Sequence, residues 1–189
     1  MNKLNGIVIV FFLMGCMACN QPATNTTDTQ TDWKQQLNKE LPLLGHRNWI
    51  LVVDKAFPAQ SSAGMEVFNT NEDLLPVLKY TLGQINSSTH VKPIIFTDKE
   101  INYITESQSP GVGNYKTQLK GILGTLPVQS LLHDSVFTKM DASSKLFKVL
   151  VLKTNQTLAY SSVLIQLDCA YWNADKEKQL RAAMKNNQQ

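Results

Sequence analysis

Gly45-His46-Arg47-Asn48-Trp49-Ile50-Leu51-Val52-Val53-Asp54-Lys55-Ala56-Phe57-Pro58 is the stretch from which the fold is read. At its centre are five consecutive apolar residues, 49–53, with no polar alternation. Such a run suits a strand covered on both faces, as in a parallel sheet between helices. Gly45-His46-Arg47-Asn48 supplies a turn before it, and residues 54–58 close it. Pro93-Ile94-Ile95-Phe96-Thr97 and Phe147-Lys148-Val149-Leu150-Val151-Leu152 have the same character, and residues 159–167 follow the latter across a turn at 153–157.

Helical periodicity lies between these runs. Trp33, Leu37 and Leu41 recur at i, i+4, i+8, with Thr31 or Asp32 as cap and Pro42 as terminator. Residues 72–85 form a second expected helix, opened by Glu72 and Asp73, which suit the positive helix start, with Pro76 in the first turn. A third, 115–126, places Tyr115, Leu119, Ile122, Leu123 and Leu126 on one side. Residues 175–185 predict a polar C-terminal helix; residues 98–106 are ambiguous, and 109–114 read as loop. Buried strands alternating with helices predict an α/β domain with a largely parallel sheet flanked by helices.

Composition narrows the function. The 189 residues carry 18 Lys+Arg against 15 Asp+Glu, and a net charge of +3 without a basic run gives no footprint for nucleic acid. Three cysteines, two of them in the first 19 residues, exclude a disulfide scaffold. No stretch reaches the roughly 18 unbroken apolar residues of a membrane span.

Residues 1–15 read as a secretory signal: Lys3 is the positive end and residues 7–14 (IVIVFFLM) the apolar run. Leu13-Met14-Gly15-Cys16 looks like a bacterial lipobox, which makes Cys16 the expected acylation site and Cys19 the alternative. Residues 16–31 then form a lipidated N-terminus and polar tether, residues 32–170 the domain, and 171–189 a helical extension. The expected location is the bacterial cell envelope, on a lipid anchor facing the periplasm.

Few residues offer chemistry. His46, His90 and His133 have no metal-ligand spacing, so no metal site is expected. Gly111-Val112-Gly113-Asn114-Tyr115-Lys116 has the wrong spacing for a phosphate loop, and no G-x-S-x-G elbow occurs. His46 is a loop histidine before a buried strand, placed either to move a proton near neutral pH or to pair with a backbone carbonyl.

The residues from Leu44 to Pro58 resemble the opening signature of the RbsD/FucU family, the D-ribose pyranases and L-fucose mutarotases, roughly L-G-H-x-D, an apolar strand, then D-A-x-F-P. Leu150-Val151-Leu152-Lys153-Thr154-Asn155 followed by Tyr160-Ser161-Ser162-Val163-Leu164-Ile165 is similar to the family's closing strand pair. The resemblance spans about residues 33–167, weakly in the middle. It implies an RbsD-like three-layer domain that interconverts anomers, or pyranose and furanose rings, of a free monosaccharide without cofactor or metal. By position His46 matches the family's catalytic histidine and Asp54 its substrate-binding aspartate. His133 would donate to a sugar hydroxyl, and Tyr160 would add a phenol. Ser162 stands where the family has Asn, Asn48 where it has Asp, and Lys55 is a milder departure.

His46 and Asp54 are eight residues apart, about 26 Å along a straight strand at ~3.3 Å per residue. Either the chain curls sharply at Gly45 or Pro58, or complementary residues come from different subunits. The resemblance favours ring-shaped homo-oligomers. Two other readings stand beside an isomerase: a non-catalytic carbohydrate-binding lipoprotein, in which the changes at 48 and 162 have removed turnover, and an assembly protein.

Overall fold

A computed structural model of the chain describes residues 32–186. The expected signal, the tether up to residue 31, and Cys16 and Cys19 lie outside the described residues. Thirteen helical and strand segments follow in order. They are α1 (Trp33–Glu40), a 3-10 turn (Leu41–Leu43), β1 (Trp49–Val53), β2 (Met65–Asn69), α2 (Leu74–Ser87), β3 (Val91–Asp98), a 3-10 turn (Lys99–Asn102), α3 (Val112–Leu123), β4 (Val128–Leu131), α4 (His133–Ser144), β5 (Val149–Lys153), β6 (Val163–Cys169) and α5 (Ala174–Asn186).

The six strands form one sheet in the order β2-β5-β1-β6-β3-β4. β1, β2 and β5 run parallel, β3 and β4 run parallel, and β6 is antiparallel to both β1 and β3. Five strands therefore share one direction and β6 alone opposes them, which is the largely parallel α/β sheet that the apolar runs predict.

Strand pleating divides the core into two layers. Ile50, Val52, Leu150, Leu152, Val163 and Ile165 pack against Leu37 of α1, Leu78 and Ile85 of α2, and Leu119 and Leu123 of α3. Trp49, Leu51, Val53, Val149, Val151 and Leu164 pack against Val136 and Met140 of α4, with Phe57 and Phe96. All five residues of β1 are buried, and each contributes about 1.5–3 kcal/mol of apolar burial if fully covered.

Local chemistry sets the ends of the elements. Asp32 caps α1, accepting from the Lys34 N–H at 3.0 Å. The helix expected from Glu72 begins at Leu74, because Asp73 before it is in extended backbone at ψ 153°; the Glu72 carboxylate instead accepts from Trp33 Nε1 (3.0 Å) and Lys34 Nζ (2.9 Å). The helix expected from Tyr115 begins at Val112, within the stretch read as loop. Its Gly111 and Gly113 amides donate to the Glu106 carboxylate, which holds that group below the usual carboxylate range. The amides of this phosphate-loop-like segment thus already have an anion. The strand expected from residue 159 begins at Val163, since residues 159–162 turn through Tyr160 at φ 57°. β2, β4 and α4 are elements that apolar patterning does not announce. Among the described residues, no helix is long and apolar enough to cross a membrane.

Candidate active site

β1, β3, β4 and β5 all end at one edge of the sheet, and antiparallel β6 begins there. Ligands of open α/β sheets sit outside this carboxyl edge. A cavity of about 280 Å³ opens there, lined by Asp54, Phe57, Asp98, His133, Phe137, Tyr160, Ser162 and Leu164 among others. It lies just below the about 300–1,000 Å³ typical of small-molecule pockets, a size for one small ring.

Asp54 follows the last residue of β1. Its Oδ1 accepts from the Ala56 N–H at 2.9 Å and its Oδ2 from the Ser162 hydroxyl at 3.0 Å, while the Ser162 Oγ accepts from the Asp54 N–H at 3.1 Å. This exchange joins the end of β1 to the start of β6 and fixes the carboxylate. Tyr160 stands at the rim in the left-handed region, and the turn carrying it is held from below. The buried Tyr115 hydroxyl donates to the Ser161 carbonyl at 2.5 Å, and burial pushes that phenol far above its ordinary pKa.

His133 is the first residue of α4. Its backbone N–H donates to both carboxylate oxygens of Glu100 (3.1 and 3.2 Å), and its Nδ1 lies 2.9 Å from Asp98 Oδ2. The imidazole meets Phe137 edge-on at 4.7 Å and Tyr160 at 5.2 Å between ring centres. Asp98, the last residue of β3, is 1% exposed, and its Oδ1 is buried without a hydrogen-bond partner. Burial pushes its carboxyl up, against the opposing pull of His133; Glu100 and Asp54 add to the rise.

Four residues singled out in the sequence, Asp54, His133, Tyr160 and Ser162, thus meet at one cavity. His46 does not join them. It precedes β1 by a turn, so the five-residue strand, about 16 Å at ~3.3 Å per residue, separates that end from Asp54. There His46 Nδ1 is 2.9 Å from Asp168 Oδ1, and Arg47 Nε donates to His46 Nε2 at 3.3 Å. The ring is therefore paired with side chains and remains 54% exposed, neither bonded to a carbonyl nor packed among aliphatics. Burial alone would raise Asp168, but the Cys169 amide, Lys92 and His46 together hold its carboxyl below the usual range. Asn48 braces the turn, its Oδ1 accepting from the Gly45 N–H at 2.7 Å and its Nδ2 donating to the Lys148 carbonyl at 3.1 Å. An aspartate there would keep the acceptor and lack the donor.

Sequence reasoning missed Asp98, Glu100, Phe57 and Phe137. The available signal for Asp98 was its place as the acid ending an apolar strand, but residues 98–106 carry no clear period. Trp49 is core, packed 5.3 Å from Phe96, whereas Trp172 is 40% exposed and donates to Glu177. Among the described residues, no three His, Cys, Asp or Glu side chains are grouped to hold a metal ion.

No family model and no curated protein matches the chain. Among solved structures it is similar to RbsD of Bacillus subtilis complexed with D-ribose, at 18% identity over 70% of this chain and 91% of that one, with a TM-score of 0.48. It is similar to FucU of Bifidobacterium longum, at 18% identity over 71% and 94%, with a TM-score of 0.49. A fucose mutarotase of Streptococcus pneumoniae in complex with L-fucose gives 19% identity over 70% and 91%, with a TM-score of 0.49.

Proposed function

We propose that the chain is a monosaccharide mutarotase-like protein, an isomerase that interconverts anomers or pyranose and furanose forms of a free sugar by acid/base ring opening. The observation carrying this reading is the convergence of Asp54, His133, Tyr160 and Ser162, from three separate parts of the chain, on one cavity sized for a small ring. Sequence resemblance picks the same four residues. The wall is divided as a sugar is divided: Phe57, Phe137 and Leu164 offer apolar surface to C–H faces, and the Asp54 carboxylate accepts from hydroxyls.

Ring opening needs one proton delivered to the ring oxygen and one taken from the anomeric hydroxyl. A positioned acid/base group contributes ~10²–10⁴-fold to such a step. His46, the catalytic residue by resemblance, faces the other edge of the sheet from its own cavity, so in this reading it serves the cavity of a second copy in a homo-oligomer. The reading also keeps the lipid anchor on Cys16, or on Cys19, in the bacterial envelope.

The alternative is a non-catalytic carbohydrate-binding lipoprotein using the same cavity. Saturation-transfer and exchange NMR on ribose, fucose and related free sugars separate the two. Faster anomer exchange supports the isomerase, binding without acceleration supports the alternative, and no binding of any sugar contradicts both.

A further inference from the structure

We propose that Asp98 is a positioning residue that holds the His133 imidazole with its proton on Nδ1, making His133 Nε2 a proton-transfer atom of the cavity. This inference rests on the sugar-isomerase reading of that cavity and adds a residue and a tautomer to it.

The geometry carries the argument. A carboxylate oxygen 2.9 Å from Nδ1 accepts the Nδ1–H, which leaves the Nε2 lone pair for a ligand. The ring is fixed from several sides: Asp98 at Nδ1, Phe137 and Tyr160 edge-on, and Glu100 holding the backbone N–H of the same residue. It remains 40% exposed and lines the cavity, so the fixed ring is reachable. Asp98 itself is almost wholly buried, with one oxygen unpartnered. Burying a carboxyl this way is costly unless it serves a partner, and the side-chain partner here is the imidazole. Ring opening involves two proton-transfer positions, the ring oxygen and the anomeric hydroxyl. Both oxygens sit on the anomeric carbon, and in the reading above one of the two transfers falls to His46 of a second copy, which leaves the other to a group of this cavity. In the isomerase reading His133 Nε2 accepts the anomeric hydroxyl proton as the ring opens, becoming an imidazolium beside Asp98, while the ring oxygen takes its proton from the His46 imidazole of a second copy; closure reverses both transfers, so the protons balance over the cycle. The charged and titratable groups around the pair are Asp54 at the end of β1, Glu100 on the 3-10 turn, Tyr160 before β6, and Asp134 on α4 itself.

The test uses the full chain and Asp98→Asn, which keeps an acceptor for Nδ1–H and removes the negative charge, with His133→Gln beside it. Long-range ¹H–¹⁵N spectra of the sugar-free protein should show neutral His133 as the Nδ1–H tautomer. Exchange kinetics should show kcat reduced at least tenfold in Asp98→Asn with KM within about twofold, and reduced further in His133→Gln. An Nε2–H tautomer in the wild type, or an unchanged kcat in Asp98→Asn, overturns the proposal. A wild type that accelerates no sugar overturns the isomerase reading, while the tautomer still decides the positioning of the ring.

Discussion

Asp98 shows how one buried group links stability to function. Burial raises its carboxyl above the ordinary value, with the His133 hydrogen bond opposing. A group raised in the folded state contributes stability fully below its unfolded pKa, about 3.9, and that contribution is lost as pH rises through the folded value. Asp98→Asn, neutral at every pH, should therefore unfold at a higher temperature than wild type near neutral pH and show no such gain below about pH 3.9. Calorimetry at the two pH values checks this; a lower melting temperature near neutrality would mean that the charge stabilises the fold. Ser162 works differently, since its hydroxyl both accepts from and donates to Asp54. Ser162→Ala frees the carboxylate to turn, and isothermal titration should show sugar affinity weakened several-fold at roughly 1 kcal/mol per lost hydrogen bond. Unchanged affinity would remove Asp54 orientation from the account.

At the scale of elements, two contacts decide whether the cavity's frame survives. The Tyr115 hydroxyl reaches from α3 to the Ser161 carbonyl beneath the turn bearing Tyr160. Tyr115→Phe leaves that carbonyl unsatisfied and should cost about 1–3 kcal/mol in denaturant unfolding. Gly64, before β2, is packed against the end of α4, where an added Cβ would meet the Ser144 carbonyl oxygen at 2.2 Å and the Phe147 oxygen at 2.7 Å. Both obstacles are backbone, so Gly64→Ala should lower stability by about 1–3 kcal/mol or more. The same scale explains what was legible in the sequence. β1, β3 and β5 are apolar because sheet and helices cover them. β2 and β4 are edge strands; β2 buries only Phe68, and β4 buries none of its residues. No periodicity marks such strands. α4 buries Val136, Met140 and Ser144 at four-residue spacing among polar neighbours, too thin a stripe to announce a helix. Hence His133 was visible as a residue while its place at a helix start, opposite Asp98, was not.

For the whole molecule, the important fact is that β1 carries His46 before one end and Asp54 after the other. Motif reading treats them as one site; the straight strand keeps them at opposite edges of the sheet. If a second copy brings His46 to the cavity, mixing His46→Ala chains with Asp54→Asn chains should restore exchange activity that neither variant has alone. No recovery in oligomers that demonstrably mix would remove the shared site. Beneath that lies the claim that this edge of the sheet speeds the opening and closing of a free sugar ring. The measurement that bears on it most directly is the anomer-exchange rate of a panel of monosaccharides, recorded by NMR as full-length protein is titrated in. The account predicts an acceleration proportional to protein, saturable in one sugar, and abolished by Asp54→Asn. Exchange that stays at its spontaneous rate for every sugar, at protein concentrations where binding is seen, would contradict it.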